Sequence, residues 1–154
     1  MTAVSMRPRS LRELSSRVAR GEQDFDPAVR EFLDGFYAHP ETQPQAIRDR
    51  PLPLDGLRDA YLAAVAEHLA RSYGLVVPEW SETQGLALER PFFAGGLESM
   101  KALLLAQSPT AFRRRMLFVS RDALSRPREG APDDASGPDG SMRPAGLEPA
   151  TKPL

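Results

Sequence analysis

The densest group of chemically capable side chains is a run of arginines, Arg113, Arg114 and Arg115, inside the stretch AFRRRMLFVSRDAL from Ala111 to Leu124, with Arg121 close behind. Guanidinium groups present fixed donors that suit carboxylates and phosphates. On a helix three consecutive residues fan across about 200°, so a flat partner meets two of these arginines and not all three. Two readings stand. In one, the stems cover Phe112 and nearby core edges while the heads pair with acidic groups or water. In the other, Arg113, Arg114, Arg115 and Arg121 form the polar rim of a partner-binding surface.

No other constellation points to catalysis. His39 precedes Pro40 at a helix end and His68 lies beside Leu69 on a long helix. Neither has a carboxylate or a second histidine at a metal-binding spacing such as H-E-x-x-H. FFAGGLES, Phe92 to Ser99, sets two glycines before a helix, where free N–H groups can hold a phosphate, but it lacks the P-loop lysine and the dinucleotide fingerprint. Ser99 and Ser120 have no nucleophile-elbow context and no adjacent base. Glu13, Glu31, Asp34, Glu67 and Glu98 are expected on solvent faces, without an acid and base pair among them. The expectation is a non-catalytic protein with no metal and no cofactor.

The elements that position these residues read as helices almost throughout. Ser10 and Glu13 make a capping box ahead of Leu11, Leu14 and Val18, and Gly21 can close that helix in a left-handed conformation. Asp26 and Pro27 start a second helix, with Val29, Phe32, Leu33, Phe36 and Tyr37 on one face. A short third helix spans Pro44 to Arg50, with Ala46 and Ile47 as its apolar contacts, and the RPLPL that follows is extended. From Asp55 to Tyr73 a long helix carries Leu57, Tyr61, Leu62, Val65, Leu69 and Tyr73 as one stripe and ends at Gly74.

Leu75 to Gly96 is cut by Pro78, Gly85, Pro91, Gly95 and Gly96 into pieces without a sustained period. Its Trp80, Phe92 and Phe93 either plug a connector into the bundle or line an aromatic ligand pocket. Leu97 to Ala106, LESMKALLLA, is apolar in nearly every direction around a helix, the pattern of a central helix. Ser108 and Pro109 then restart the chain as N-cap and first helical residue. Leu117 to Val119 reads best as an extended break, with Ser120 capping a further helix start.

The 154 residues fit one domain, and 20 Lys plus Arg against 21 Asp plus Glu leave no global field for a polyanion. The absence of cysteine excludes disulfides, thiolate catalysis and cysteine zinc sites, and fits a reducing compartment. No segment has the apolar length of a membrane span and the N-terminal stretch has no apolar signal core, so a cytoplasmic location is expected. Pro127 to Leu154 holds 6 Pro and 4 Gly in 28 residues, which predicts a disordered tail behind a single helical domain over residues 1–126. Within it, AGLEPAT, Ala145 to Thr151, resembles the translation of a transfer RNA gene read on the wrong strand; an ordinary flexible tail or docking peptide is the competing reading.

Residues 80–126, and above all SPTAFRRRMLFVSRDALSR from Ser108 to Arg126, resemble the C-terminal part of a family of small bacterial helical proteins. Residues 1–50 match it less distinctly and the tail not at all. Members of that family are often encoded beside a nucleotidyltransferase-like protein, in an arrangement suggesting a toxin-antitoxin or similar two-gene system. The resemblance implies such a protein as partner and assigns no catalytic role to any residue.

The fold expected is all-α, an irregular bundle of roughly five to seven helices around the central apolar helix Leu97 to Ala106. The function expected is a protein–protein interaction module, the antitoxin-like partner of a nucleotidyltransferase-like protein. The alternative is a nucleic-acid-binding transcriptional regulator whose arginines contact phosphates. Near-zero net charge and the lack of a clear helix-turn-helix argue against that alternative.

Overall fold

The computed structural model describes residues 7–83, 85–95 and 98–126. The tail expected from Pro127 onward, Gly96 of FFAGGLES and Leu97 of the expected central helix lie outside the described residues. The architecture is all-α: six helices and one two-residue pair of strands among the described residues. None of these helices is long and apolar enough to cross a membrane.

Local signals place the first helices. Helix α1 runs Leu11–Ala19 because Ser10 accepts a hydrogen bond from the Glu13 N–H at 3.0 Å. The Glu13 carboxylate in turn accepts from the Arg9 N–H at 2.7 Å, one residue before the position a capping box uses. At its other end Gly21 takes φ 75°, and the N–H groups of Gly21 and Glu22 donate to the carbonyls of Val18 and Arg17, a Schellman closure. Helix α2, Phe25–Ala38, begins two residues earlier than expected, with Asp24 as N-cap, and buries Ala28, Val29, Phe32, Leu33 and Phe36. Helix α3 is Gln43–Arg48, preceded by a 3₁₀ turn at Pro40–Thr42, and buries Ala46 and Ile47.

Helix α4, Gly56–Tyr73, is the centre of the molecule. The Asp55 side chain caps it by accepting from the Arg58 N–H at 2.9 Å, and Gly74, left-handed at φ 69°, ends it. Its 18 residues span about 27 Å. Nearly every direction around its middle is buried: Leu62, Val65 and Leu69 fill one side, while Ala60, Ala63, Ala64, Ala66 and Ala70 let neighbours close in on the others. Leu57 and Tyr73, the ends of the expected stripe, are exposed.

The second half of the chain wraps α4. After a 3₁₀ turn at Glu79–Glu82, β1 (Phe92–Phe93) pairs in parallel with β2 (Leu117–Phe118), Phe92 opposite Leu117 and Phe93 opposite Phe118. Between the strands lie a 3₁₀ turn at Glu98–Met100, α5 (Lys101–Gln107) and the single turn α6 (Thr110–Arg113). The Phe112 ring of α6 is fully buried, meeting Tyr61 edge-on at 5.2 Å. The chain leaves α6 through Met116, a non-glycine residue at φ 66°, which turns it into β2. The expected extended break at Leu117 to Val119 is present, but Ser120 caps only turns, with its Oγ accepting from the Asp122 N–H at 3.0 Å.

The expected central helix Leu97 to Ala106 is not central. Its α-helical part, α5, lies at the periphery and buries Leu104 alone, while Leu103 and Leu105 are 45% and 47% exposed. Two physical reasons account for this. The alanine-rich α4 already occupies the middle, and Ser108 with Pro109 ends α5 after two turns, too short to cross the bundle. Ser108 itself is the C-cap of α5 and not the start of the next helix; its buried Oγ accepts from the Val119 N–H at 2.8 Å and donates to the Leu104 carbonyl at 2.6 Å.

Candidate protein-interaction surface

The three consecutive arginines part company in the structure. Arg113, in α6, is exposed and donates to the Ser108 carbonyl at 2.7 Å. Arg114 is partly exposed and bridges two carboxylates, Glu67 at 3.1 Å and Glu82 at 3.2 Å. Arg115 is buried, with only 3% of its surface accessible, so it cannot belong to an outer rim. The left-handed turn at Met116 follows directly and points this part of the chain inward. Arg121 is exposed, and its backbone N–H lies 3.4 Å from the Gln107 side-chain oxygen at the C-terminal end of α5.

Arg115 is held from three sides. Its Nη1 donates to Glu67 Oε1 at 2.6 Å and to the Ala111 carbonyl at 2.8 Å, and its Nη2 donates to the Ser81 carbonyl at 2.6 Å. Glu67, expected on a solvent face, is 1% exposed on α4, and its second oxygen accepts from Arg71 at 2.7 Å and from Arg114. Burial alone would push the Glu67 carboxyl up. Hydrogen bonds from Arg115 and Arg71, with the charges of Arg115 and Arg114, outweigh that and hold it below the usual carboxylate range. This cluster joins α4, the Glu79–Glu82 turn and the α6–β2 turn. Its two buried charges, Glu67 and Arg115, are satisfied by each other, by Arg71 and Arg114 and by the Ala111 and Ser81 carbonyls, so they act as a clamp within the fold.

Sequence reasoning missed the larger feature, the outer face of α5. Setting Leu104 inward, the 100° helical step places Leu103 and Leu105 on its two flanks and Ala102 and Ala106 side by side opposite it. All four of these residues are exposed. The outward arc of α5 therefore carries only alanine and leucine, and Met100 just before it is 36% exposed. Glu98, paired with Lys101 at 3.2 Å, stands at its N-terminal end, and Arg113 and Arg121 stand at its C-terminal end. The signal was present as all-round apolarity, but the same composition fits a helix covered by this chain or by another.

The remaining candidates are occupied or small. Trp80 is half-buried and donates from Nε1 to the Ile47 carbonyl at 3.1 Å. Beside it, an open cleft of about 40 Å³ is lined by Arg50, Pro51, Leu52 and Leu86, far below the roughly 300 Å³ of a small-molecule site. Phe92 and Phe93 are not part of it; Phe93 instead stacks on Phe118 at 5.0 Å. His39 lies 3.5 Å from Glu41 at the end of α2. His68 meets the Phe112 ring edge at 6.2 Å, and burial lowers its pKa against the opposing pull of Glu67. Among the described residues no group of three or more His, Asp or Glu side chains is placed to hold a metal ion.

No family model, no curated protein and no solved structure matches this chain.

Proposed function

We propose that this is a non-catalytic interaction module whose contact surface is the outer arc of α5, Ala102, Leu103, Leu105 and Ala106, rimmed by Arg113 and Arg121. The observation that carries this reading is an ordered helix turning its leucines to water although the chain has a packed core elsewhere. Contiguous exposed apolar surface of this kind marks contact with another macromolecule. Arginine at the rim supplies donors for carboxylates and steers association. The partner follows from the resemblance of residues 80–126: a nucleotidyltransferase-like protein encoded beside this one, which the module masks as an antitoxin does.

Co-expression of the full chain with that neighbour and affinity capture test this. The expected result is co-purification that Leu103→Lys together with Leu105→Lys abolishes, and that Arg113→Ala with Arg121→Ala weakens in a salt-dependent way. Absence of capture would overturn the proposed partner, and capture indifferent to the α5 substitutions would overturn α5 as the contact surface.

A further inference from the structure

We infer that a second copy of this chain occupies the outer face of α5 when no other partner does, through a two-fold antiparallel pairing of α5 with α5. The inference rests on α5 being a contact surface and goes on to name what first covers it.

The pattern on α5 is symmetric about Leu104. Residues 102–106 read Ala-Leu-Leu-Leu-Ala, so reversing the helix direction exchanges Ala102 with Ala106 and Leu103 with Leu105 and leaves the outer face unchanged. A two-fold contact requires this self-complementarity, since each residue must suit its symmetry mate. The alanines form a trough where two backbones can approach, and the flanking leucines close over its sides. Charge runs the same way. Glu98, whose side chain is 87% exposed, lies before the N-terminal end, and the exposed Arg113 and Arg121 lie at the C-terminal end. Glu98 shares the N-terminal end with Lys101, its ion-pair partner at 3.2 Å, and an antiparallel pairing turns the more exposed Glu98 of each copy towards Arg113 and Arg121 of the other and opposes the two helix dipoles favourably.

The area sets the strength. A face of about two helical turns supplies a few hundred Å² per chain, well under the roughly 800 Å² of a standard interface. The dimer is therefore a weak, concentration-dependent one, readily displaced by a partner with a larger footprint.

Sedimentation velocity and light scattering on the full chain, from about 1 μM to about 1 mM, measure this directly. The expected mass moves from one chain to two across that range. Leu103→Lys, at an exposed position, raises the dissociation constant at least about tenfold with an unchanged circular dichroism spectrum. Glu98→Arg weakens the dimer, and adding Arg121→Glu to that variant restores it, because the swapped charges again face each other across the two-fold axis. A monomer at every concentration overturns the inference, as does a dimer unaffected by Leu103→Lys or a charge swap that fails to restore association. The outcomes separate from those of the neighbour capture: a monomer whose capture still depends on Leu103 sinks only the dimer, and a Leu103-dependent dimer that captures no neighbour sinks only the proposed partner.

Discussion

Glu67 and Arg115 stand 48 residues apart in the chain and meet at 2.6 Å in the interior, the carboxylate on α4 and the guanidinium at the turn before β2. Each is nearly inaccessible to solvent. Removing Glu67 leaves the buried Arg115 charge without a carboxylate, at a cost of about 3–5 kcal/mol, whereas removing Arg115 leaves Glu67 its bonds from Arg71 and Arg114 and costs less. Glu67→Leu is expected to lower the unfolding free energy by that amount, and Arg115→Met by less. The double variant is expected to recover much of the loss, because an apolar pair of similar volume replaces both charges. Equilibrium urea unfolding of the four proteins measures the coupling, and additive losses would contradict it.

The same carboxylate sets an acid limit. Its folded pKa is depressed, so its contribution is fully present above the unfolded value of about 4.3 and is lost as pH falls through the folded value. His68 acts in a separate window. Burial lowers its pKa, so the unfolded chain binds the proton more readily and stability falls as pH drops below about 6.5. Stability between pH 7 and 5 is expected to be flatter in His68→Leu, and the steeper loss below pH 4.3 to be reduced in Glu67→Gln. Melting temperatures across pH 3–8 check both signs.

Ser108 fastens α5 to β2. Replacing it with alanine strands the buried Val119 N–H, which now donates to Oγ at 2.8 Å. The expected loss is about 1–3 kcal/mol in denaturant unfolding. A loss below about 0.5 kcal/mol would mean that water reaches this N–H.

What could be read from the sequence was local. Ser10, Gly21, Asp55 and Gly74 set helix ends through bonds within a few residues, and those ends fell where expected. The apolar face of α2 repeats within one helix and was equally readable, although its start at Asp24 was not, since Asp26 with Pro27 offered an equally good signal. The centre was not readable. Leucine-rich α5 outranks alanine-rich α4 in apolarity, yet small side chains are what allow a helix to be approached from all sides. Glu67 resembled any surface carboxylate, because its burial depends on a partner in a distant segment. For the contact surface, Arg113 and Arg121 stand at the exposed end of α5, whereas Arg114 is shared between Glu67 and Glu82 and Arg115 lies inside.

Within α5 the neighbours Leu103 and Leu104 should respond in opposite ways. Leu104→Ala empties a buried site and is expected to cost about 2–5 kcal/mol, whereas Leu103→Gln stays within about 0.5 kcal/mol of the parent. Chemical denaturation of the two variants at low concentration checks the contrast.

The most direct measurement uses the absence of cysteine in the natural chain. A single thiol introduced by Leu103→Cys or by Leu104→Cys reports whether that position is open to a water-soluble thiol reagent in the folded protein. The thiol at position 103 is expected to react at nearly the rate of an unfolded chain in the dilute monomer and to be protected when the proposed nucleotidyltransferase-like partner is added. The thiol at position 104 should react slowly throughout. Slow reaction at position 103 in the dilute monomer, or a rate unchanged when that partner is saturating, would contradict the assignment of α5 as the contact surface.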